Sequence, residues 1–298
     1  MSAGPGYDVN PLADHYRRFR VAERLLLTGH SHQAWPDVAY EAHKQAWLDA
    51  AEWVDEKWEL AARRAAEVRG HWRRLLGDPD GDVALGQNTH ELVTRLLSAL
   101  PLRARPRLVS TDGEFHTLAR QLARLREAGL DVALVPARPV ETLAERLAAA
   151  VDDRTAAALV SSVLFETAEI VPDLGHLAAT CERHGTVLLV DAYHHLNVVP
   201  FDLVGLGLER AFVTGGGYKY CQLGEGNAFL RVPPDCALRP VVTGWYSEFS
   251  LLSSPPLSGP VPYGPGPARF AGATYDPTSH CRAAAVFDFF EQQGLTPK

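Results

Sequence analysis

Two residues in the second half of the chain have the types and surroundings to do chemistry together. Asp191 stands near the end of the apolar run TVLLVDA, Thr186 to Ala192. Lys219 follows a second apolar run, Ala211 to Thr214, and three glycines in FVTGGGYKYCQLGEGNAFL. An apolar run that ends in a carboxylate reads as a buried strand delivering the acid at its C-terminal end. A carboxylate there can keep a pyridine nitrogen protonated, so that the ring accepts electrons, and a lysine can form a Schiff base with an aldehyde. That is the arrangement pyridoxal 5'-phosphate (PLP) chemistry needs, and the glycines let the backbone approach a bulky cofactor. Taken alone, the pair reads more simply as a strand-end acid and a solvated loop lysine; the neighbouring motifs weigh against that reading.

With those neighbours the chain resembles the PLP-dependent enzymes of fold type I, the class V aminotransferase group, and within it the kynureninase-like branch. The matching residues are Asp191, His194, Tyr218, Lys219 and the turn Gly224 to Gly226. The resemblance implies that Asp191 pairs with the pyridine nitrogen, His194 lies near the ring, Tyr218 bonds the phosphate, and Lys219 forms the internal Schiff base and then serves as base. In GQNTHELV, Asn88 and Thr89 open a helix, whose free N–H groups and dipole suit a phosphate. The resemblance gives Thr89, and with it Asn88, that role; plain helix capping is compatible with it. In EFHTLARQ it makes Phe115 the residue stacked on the ring, with His116 as the rival position. It assigns Trp245 of GWYSEF to the cofactor phosphate, and Thr274 of RFAGATYDP to the phosphate of a neighbouring subunit's cofactor. It therefore implies a homodimer with sites at its interface. Gly29, His30 and Ser31 of GHSH fall on the substrate side. The H-x-H spacing there has no carboxylate or Cys beside it, so no metal site is expected.

The sequence also departs from the family pattern. SSVLFETAEIVPDL keeps Thr167 and Asp173, but Ala168 replaces the usual Gly and Leu164 the usual Asn. Leu118 stands where kynureninases carry an acid. These departures bear on kynurenine as substrate more than on the cofactor. The function classes left open are a kynureninase-like lyase or hydrolase acting on an amino acid, a class V aminotransferase or cysteine desulfurase/C–S lyase, and a non-catalytic paralogue that keeps the cofactor scaffold.

Composition sets the outer bounds. The 298 residues are 46% hydrophobic and 22% charged, as in ordinary globular proteins. The net charge of −7, from 29 basic and 36 acidic residues, gives no footprint for nucleic acid. No segment is long and apolar enough to span a bilayer, and no signal-like start is present, so a cytoplasmic setting is expected. Cys181, Cys221, Cys236 and Cys281 show no metal or dithiol spacing.

The elements that must position these residues alternate. A short helix is expected over 12–23, a strand and turn in LLLTGHSHQAWP, and a long helix from Asp37 to Leu76 in which Trp47, Trp53, Trp58 and Trp72 pack. From residue 82 onward strands and helices alternate down to NAFLRV. Near-continuous apolar strands separated by helices predict an α/β fold with a mostly parallel sheet covered on both faces. Such sheets gather ligands at the carboxyl ends of their strands, where every motif residue falls. A Pro/Gly/Ser-rich loop runs from Ser253 to Phe270. Together with the resemblance this divides the chain into an N-terminal segment (1–35), a PLP-binding large domain (36–265) and the start of a C-terminal small domain (266–298), most of which is expected to be missing.

Overall fold

A computed structural model describes residues 10–251 and 259–296. Part of the Pro/Gly/Ser-rich loop, from Ser253 to Ser258, lies outside the described residues.

The elements are α1 (Asp37–Trp53), α2 (Lys57–Leu76), β1 (Asp82–Gly86), α3 (Thr89–Ala99), β2 (Arg107–Thr111), α4 (His116–Glu127), β3 (Asp131–Val135), α5 (Leu143–Ala150), β4 (Thr155–Ser161), α6 (Leu174–Arg183), β5 (Val187–Asp191), β6 (Phe212–Gly216), β7 (Ala228–Val232) and α7 (Thr278–Gln293). The seven strands form one sheet in the order β1-β7-β6-β5-β4-β2-β3. Only β7 runs antiparallel to its neighbours, so the other six strands point their carboxyl ends to one side. The expected mostly parallel α/β sheet is thus found.

Apolar residues alternate between the two faces of this sheet, as the pleat requires. Val190 and Phe229 join one core with Trp72, Leu76 and Phe287; Leu189 and Leu230 join the other with Leu92, Leu96 and Phe270. The first core is closed by α2 and α7, the second by α3 and α4. The register sets Asp191 between Ser161 of β4 and Thr214 of β6, at the carboxyl edge.

The N-terminal third differs from expectation. Residues 13–19 form a 3-10 helix kinked at Tyr16 rather than a regular helix. LLLTGHSHQAWP forms no strand: Leu25 and Leu27 are 82% and 76% exposed, so most of its apolar run stays outside the core. The long helix is two helices, because Val54 adopts φ 44° and its amide turns back to the Ala50 carbonyl. No Gly or Pro marks that break, so no local signal announces it. Of the four tryptophans, Trp72 is fully buried and Trp58 packs its ring 5.7 Å from that of Tyr275. Trp47 and Trp53 are exposed, on a stretch of α1 where only Ala39 is buried.

Candidate active site

The carboxyl edge of the sheet carries a cavity of about 230 Å³. Four connections build it: the β1–α3 turn, the β2–α4 turn, the segment after β5 that carries Tyr193 and His194, and the long connection between β6 and β7. Asp191, His194, Phe115, Asn88, Thr89, Tyr218 and Lys219 all line it. Seven residues expected from the sequence and its resemblance therefore meet in one space.

Lys219 is buried, 6% exposed, and its Nζ lies 2.6 Å from Nε2 of His194. The amine sits 4.9 Å from the centroid of the Phe115 ring and 5.3 Å from that of Tyr193. Burial lowers the affinity of Lys219 for its proton, and Asp191 offsets this only in part. Burial, and then the charge of Lys219, push His194 down to about 4, so the imidazole is neutral and can accept a hydrogen bond from the ammonium. His195, the neighbour in sequence, instead turns into the core against Phe201.

Asp191 lies at the floor of the cavity. Its placement there pushes the carboxyl up to about 6, against the Tyr193 amide and Lys219, which favour the charged form. The Tyr193 amide donates to it at 2.8 Å. No cation of the described residues approaches within 4.0 Å. A deep carboxylate without a cation is costly unless something positive arrives to pair with it.

At the β1–α3 turn, Asn88 rather than Thr89 caps the helix, its Oδ1 accepting from the Glu91 amide at 2.9 Å. Thr89 begins the helix with its side chain toward the cavity wall. The glycines after β6 are steric requirements. A Cβ on Gly216 would fall 2.6 Å from the Tyr193 ring, and one on Gly217 would run into Leu223. Gly224 and Gly226 take φ of +70° and +86° in the turn that completes the wall.

Not every expected residue arrives. Trp245 is 42% exposed and packs at a tilt against Tyr246, ring centroids 4.3 Å apart, and Thr274 is exposed; neither lines this cavity. Gly29, His30 and Ser31 lie on an outer turn, and the contact with the site comes from the next residue, His32, whose ring is 6.0 Å from that of Tyr218. His116 leaves the wall to Phe115 and packs on Phe165 at 5.2 Å. Leu118 and Leu164, at the departures from the family pattern, are core residues. Ala168 takes φ 59°, the left-handed conformation that suits the glycine it replaces.

Sequence reasoning missed two residues here. Tyr193 lines the cavity between Asp191 and Gly216. Glu114, adjacent to Phe115, is 3% exposed and accepts from the Thr111 hydroxyl (3.0 Å), the Ser161 amide (3.1 Å) and the Ser161 hydroxyl (2.6 Å). Burial pushes it up to about 7, and Asp191 adds to the rise. An acid beside a strand end was the available signal, but capping residues look the same in sequence.

No family model matches the chain. Over 208 residues it is 23% identical to an "uncharacterized aminotransferase", YcbU, of Bacillus subtilis, which covers 69% of this chain and 55% of that protein. Over 238 residues it is 24% identical to a "probable cysteine desulfurase" of Methanothermobacter thermautotrophicus, covering 79% of this chain and 58% of that one. The chain thus spans somewhat more than half the length of the curated relatives it matches. Among solved structures, a C-DES mutant with glycine covalently linked to its PLP cofactor superposes with a TM-score of 0.81 at 19% identity, over 96% of this chain and 75% of that one. A second C-DES structure, titled as a cystine C–S lyase with its product cysteine persulfide, gives 0.76 at 20% identity, over 89% and 71%. The chain has the fold of these structures, a mixed α/β sheet flanked by helices of the kind expected from the resemblance.

Proposed function

We propose that the chain is a PLP-dependent enzyme of the class V group that cleaves a carbon–sulfur bond of a sulfur-containing amino acid. The observation that carries the reading is the meeting of the Lys219 amine and a deep, cation-free Asp191 in one cavity walled by Phe115. The residues fit the cofactor: an acid in need of a positive partner, an amine of lowered proton affinity, an aromatic wall, and a helix N-terminus with Asn88 and Thr89 for a phosphate. Bound there, PLP would supply an electron sink for the substrate's Cα carbanion. Asp191 would hold the ring-nitrogen proton. Lys219 would carry the cofactor and then move a proton at the substrate, with neutral His194 receiving its hydrogen bond. Tyr218 is assigned to the phosphate.

The sulfur chemistry follows the names of the desulfurase and the C–S lyase that the chain resembles, in preference to the kynureninase-like reading, which no reported relative carries. Leu164 and Leu118, both core residues, supply no polar group for kynurenine either. The thiol of Cys221, two residues past Lys219, is buried and pushed up to about 12 by burial, so it is a poor acceptor of sulfur. A transaminase is the second reading, from the similarity to YcbU. Trp245 and Thr274, exposed and outside the cavity of their own chain, are proposed to reach the cofactor of a second copy in a homodimer. Gly29, His30 and Ser31 are assigned to the substrate side, and the division at residues 35 and 265 is retained as a proposal. No helix of the described residues is long and apolar enough to cross a membrane; a cytoplasmic location is proposed.

The test is absorption spectroscopy with added PLP. A visible band is expected in the wild type and none in Lys219→Ala; a yellow, fully active variant would overturn the assignment. L-cystine or L-cysteine should then yield sulfide or persulfide. Keto-acid formation from amino acids without sulfur would favour the transaminase, cleavage of L-kynurenine would restore the branch set aside, and a band that no amino acid shifts would indicate a non-catalytic scaffold.

A further inference from the structure

A second cavity, of about 360 Å³, opens between α2, the edge strand β1 and the segment 265–275. It touches the first only through the shared residue Gln87. Its size falls in the range of small-molecule sites.

The charges on its wall do not balance. Arg95 is taken: it pairs with Glu91 and donates to the Phe270 carbonyl. Arg69 is not. Its Nε donates to the Val83 carbonyl at 3.0 Å, and no carboxylate of the described residues lies within 4.0 Å of it. Burial lowers its proton affinity, the mark of a guanidinium short of counter-charge. Close enough to feel that charge lies His280, 3% exposed, with neither ring nitrogen bonded among the described residues. A buried polar group left unpaired is costly, because it has given up its hydrogen bonds to water for nothing. Here an unpaired cation and an unpaired imidazole face the same space, and one imidazole nitrogen carries a hydrogen to donate. The rest of the wall is largely small and apolar, with Ala65, Val83 and Ala268 in it.

We propose that this cavity is a binding site for a small monocarboxylic acid with an apolar body, its carboxylate held by Arg69 and His280. One free guanidinium beside a neutral imidazole matches one negative charge. A phosphate dianion would leave a second charge uncompensated, with Glu91 on the same wall. A planar carboxylate also fits the guanidinium fork. The proposal does not rest on the cofactor reading of the Lys219 cavity.

Benzoate serves as the probe, with benzamide and benzylamine as its neutral and cationic counterparts, followed by calorimetry and ligand-observed NMR on the full chain. Benzoate should bind saturably, benzamide about tenfold or more weakly, and benzylamine not at all. Arg69→Met should weaken benzoate at least about tenfold. Lys219→Ala should leave benzoate binding unchanged, which separates this cavity from its neighbour. Should Arg69→Met fail to fold, Ala62→Phe, on an exposed position at the mouth, gives the second reading by blocking the cavity. The proposal is overturned by absence of saturable benzoate binding, by binding retained in folded Arg69→Met or Ala62→Phe, by binding lost in Lys219→Ala, or by equal binding of benzamide.

Discussion

Glu114 and Asp191 are two carboxyls under one cavity floor, and their coupling makes a prediction about stability that needs no cofactor. Glu114 is pushed from 4.5 to about 7 by burial, against three hydrogen bonds that favour its charged form. A raised carboxyl contributes stability that is complete below its unfolded value near 4.5 and is lost as pH rises through about 7. At about 1.4 kcal/mol per tenfold change in proton affinity, the loss between pH 5 and pH 8 comes to about 2–3 kcal/mol. Asp191, raised from 3.8 to about 6, adds in the same direction, less strongly because it borders the open cavity. Glu114→Gln removes the larger part. The amide oxygen can still accept from Thr111 and the Ser161 amide, and its NH₂ can donate to the Ser161 hydroxyl. Buried histidines such as His280 act with the opposite sign, since a lowered imidazole gives stability as pH rises. They cancel when the variant is compared with wild type in the same buffers. Urea unfolding of cofactor-free protein at pH 5, 6.5 and 8 should show the variant gaining about 2 kcal/mol on wild type across that span. A constant difference between the two proteins from pH 5 to pH 8 would refute the assignment of a protonated, buried Glu114.

Two further substitutions test the frame of the site. Arg282→Met removes the donor to the Leu223 and Glu225 carbonyls, leaving both without that partner in the wall of the Lys219 cavity; a stability loss of about 1–3 kcal/mol is expected, with PLP binding weakened further, measured by thermal melting and by titration of the visible band. Ala168→Gly relieves a left-handed alanine, worth about 1–2 kcal/mol, at the expense of about 0.4–1 kcal/mol of unfolded-chain entropy; a net gain in unfolding free energy of up to about 1.5 kcal/mol should follow in urea titration, and a loss would mean that the turn holds no such strain.

The sheet was legible because its signal is local. TVLLVDA, AFVTGG and NAFLRV are short apolar runs bounded by turn residues, and each became a strand within a residue or two of expectation. The cavity followed, since residues at the carboxyl ends of parallel strands must share one side of the sheet. What failed was decided by tertiary context. LLLTGH has a strand's composition but finds no edge to join. Asp37 to Leu76 has a helix's composition throughout, yet Val54 breaks it. Trp47 and Trp72 are alike in sequence, and only the position of α2 against the sheet buries one of them. Glu114 was passed over because a buried acid is distinguished by its surroundings, Ser161 and Asp191, which lie far off in sequence.

The loop that carries Lys219 shows why such surroundings matter more than spacing. Between Gly217 and Asn227 the chain is held by its own bonds, Leu223 amide to Gly217 carbonyl at 2.9 Å and Gly217 amide to Asn227 carbonyl at 2.8 Å. A closed loop of this length with three glycines would still sample many conformations. Both ends of the described chain narrow that choice. Tyr16, from the N-terminal 3-10 helix, donates its hydroxyl to Gln222 at 2.7 Å. Arg282, from α7, donates to Leu223 at 2.6 Å and to Glu225, and lies over the Trp35 ring at 4.9 Å. Ser279 of the same helix sits where any side chain on Gly226 would go. The lysine amine is thereby placed 2.6 Å from His194 by residues that contact neither. A substitution in α7 or near residue 16 can therefore move the Lys219 amine without touching the cavity, and sequence motifs centred on Lys219 alone would never flag it.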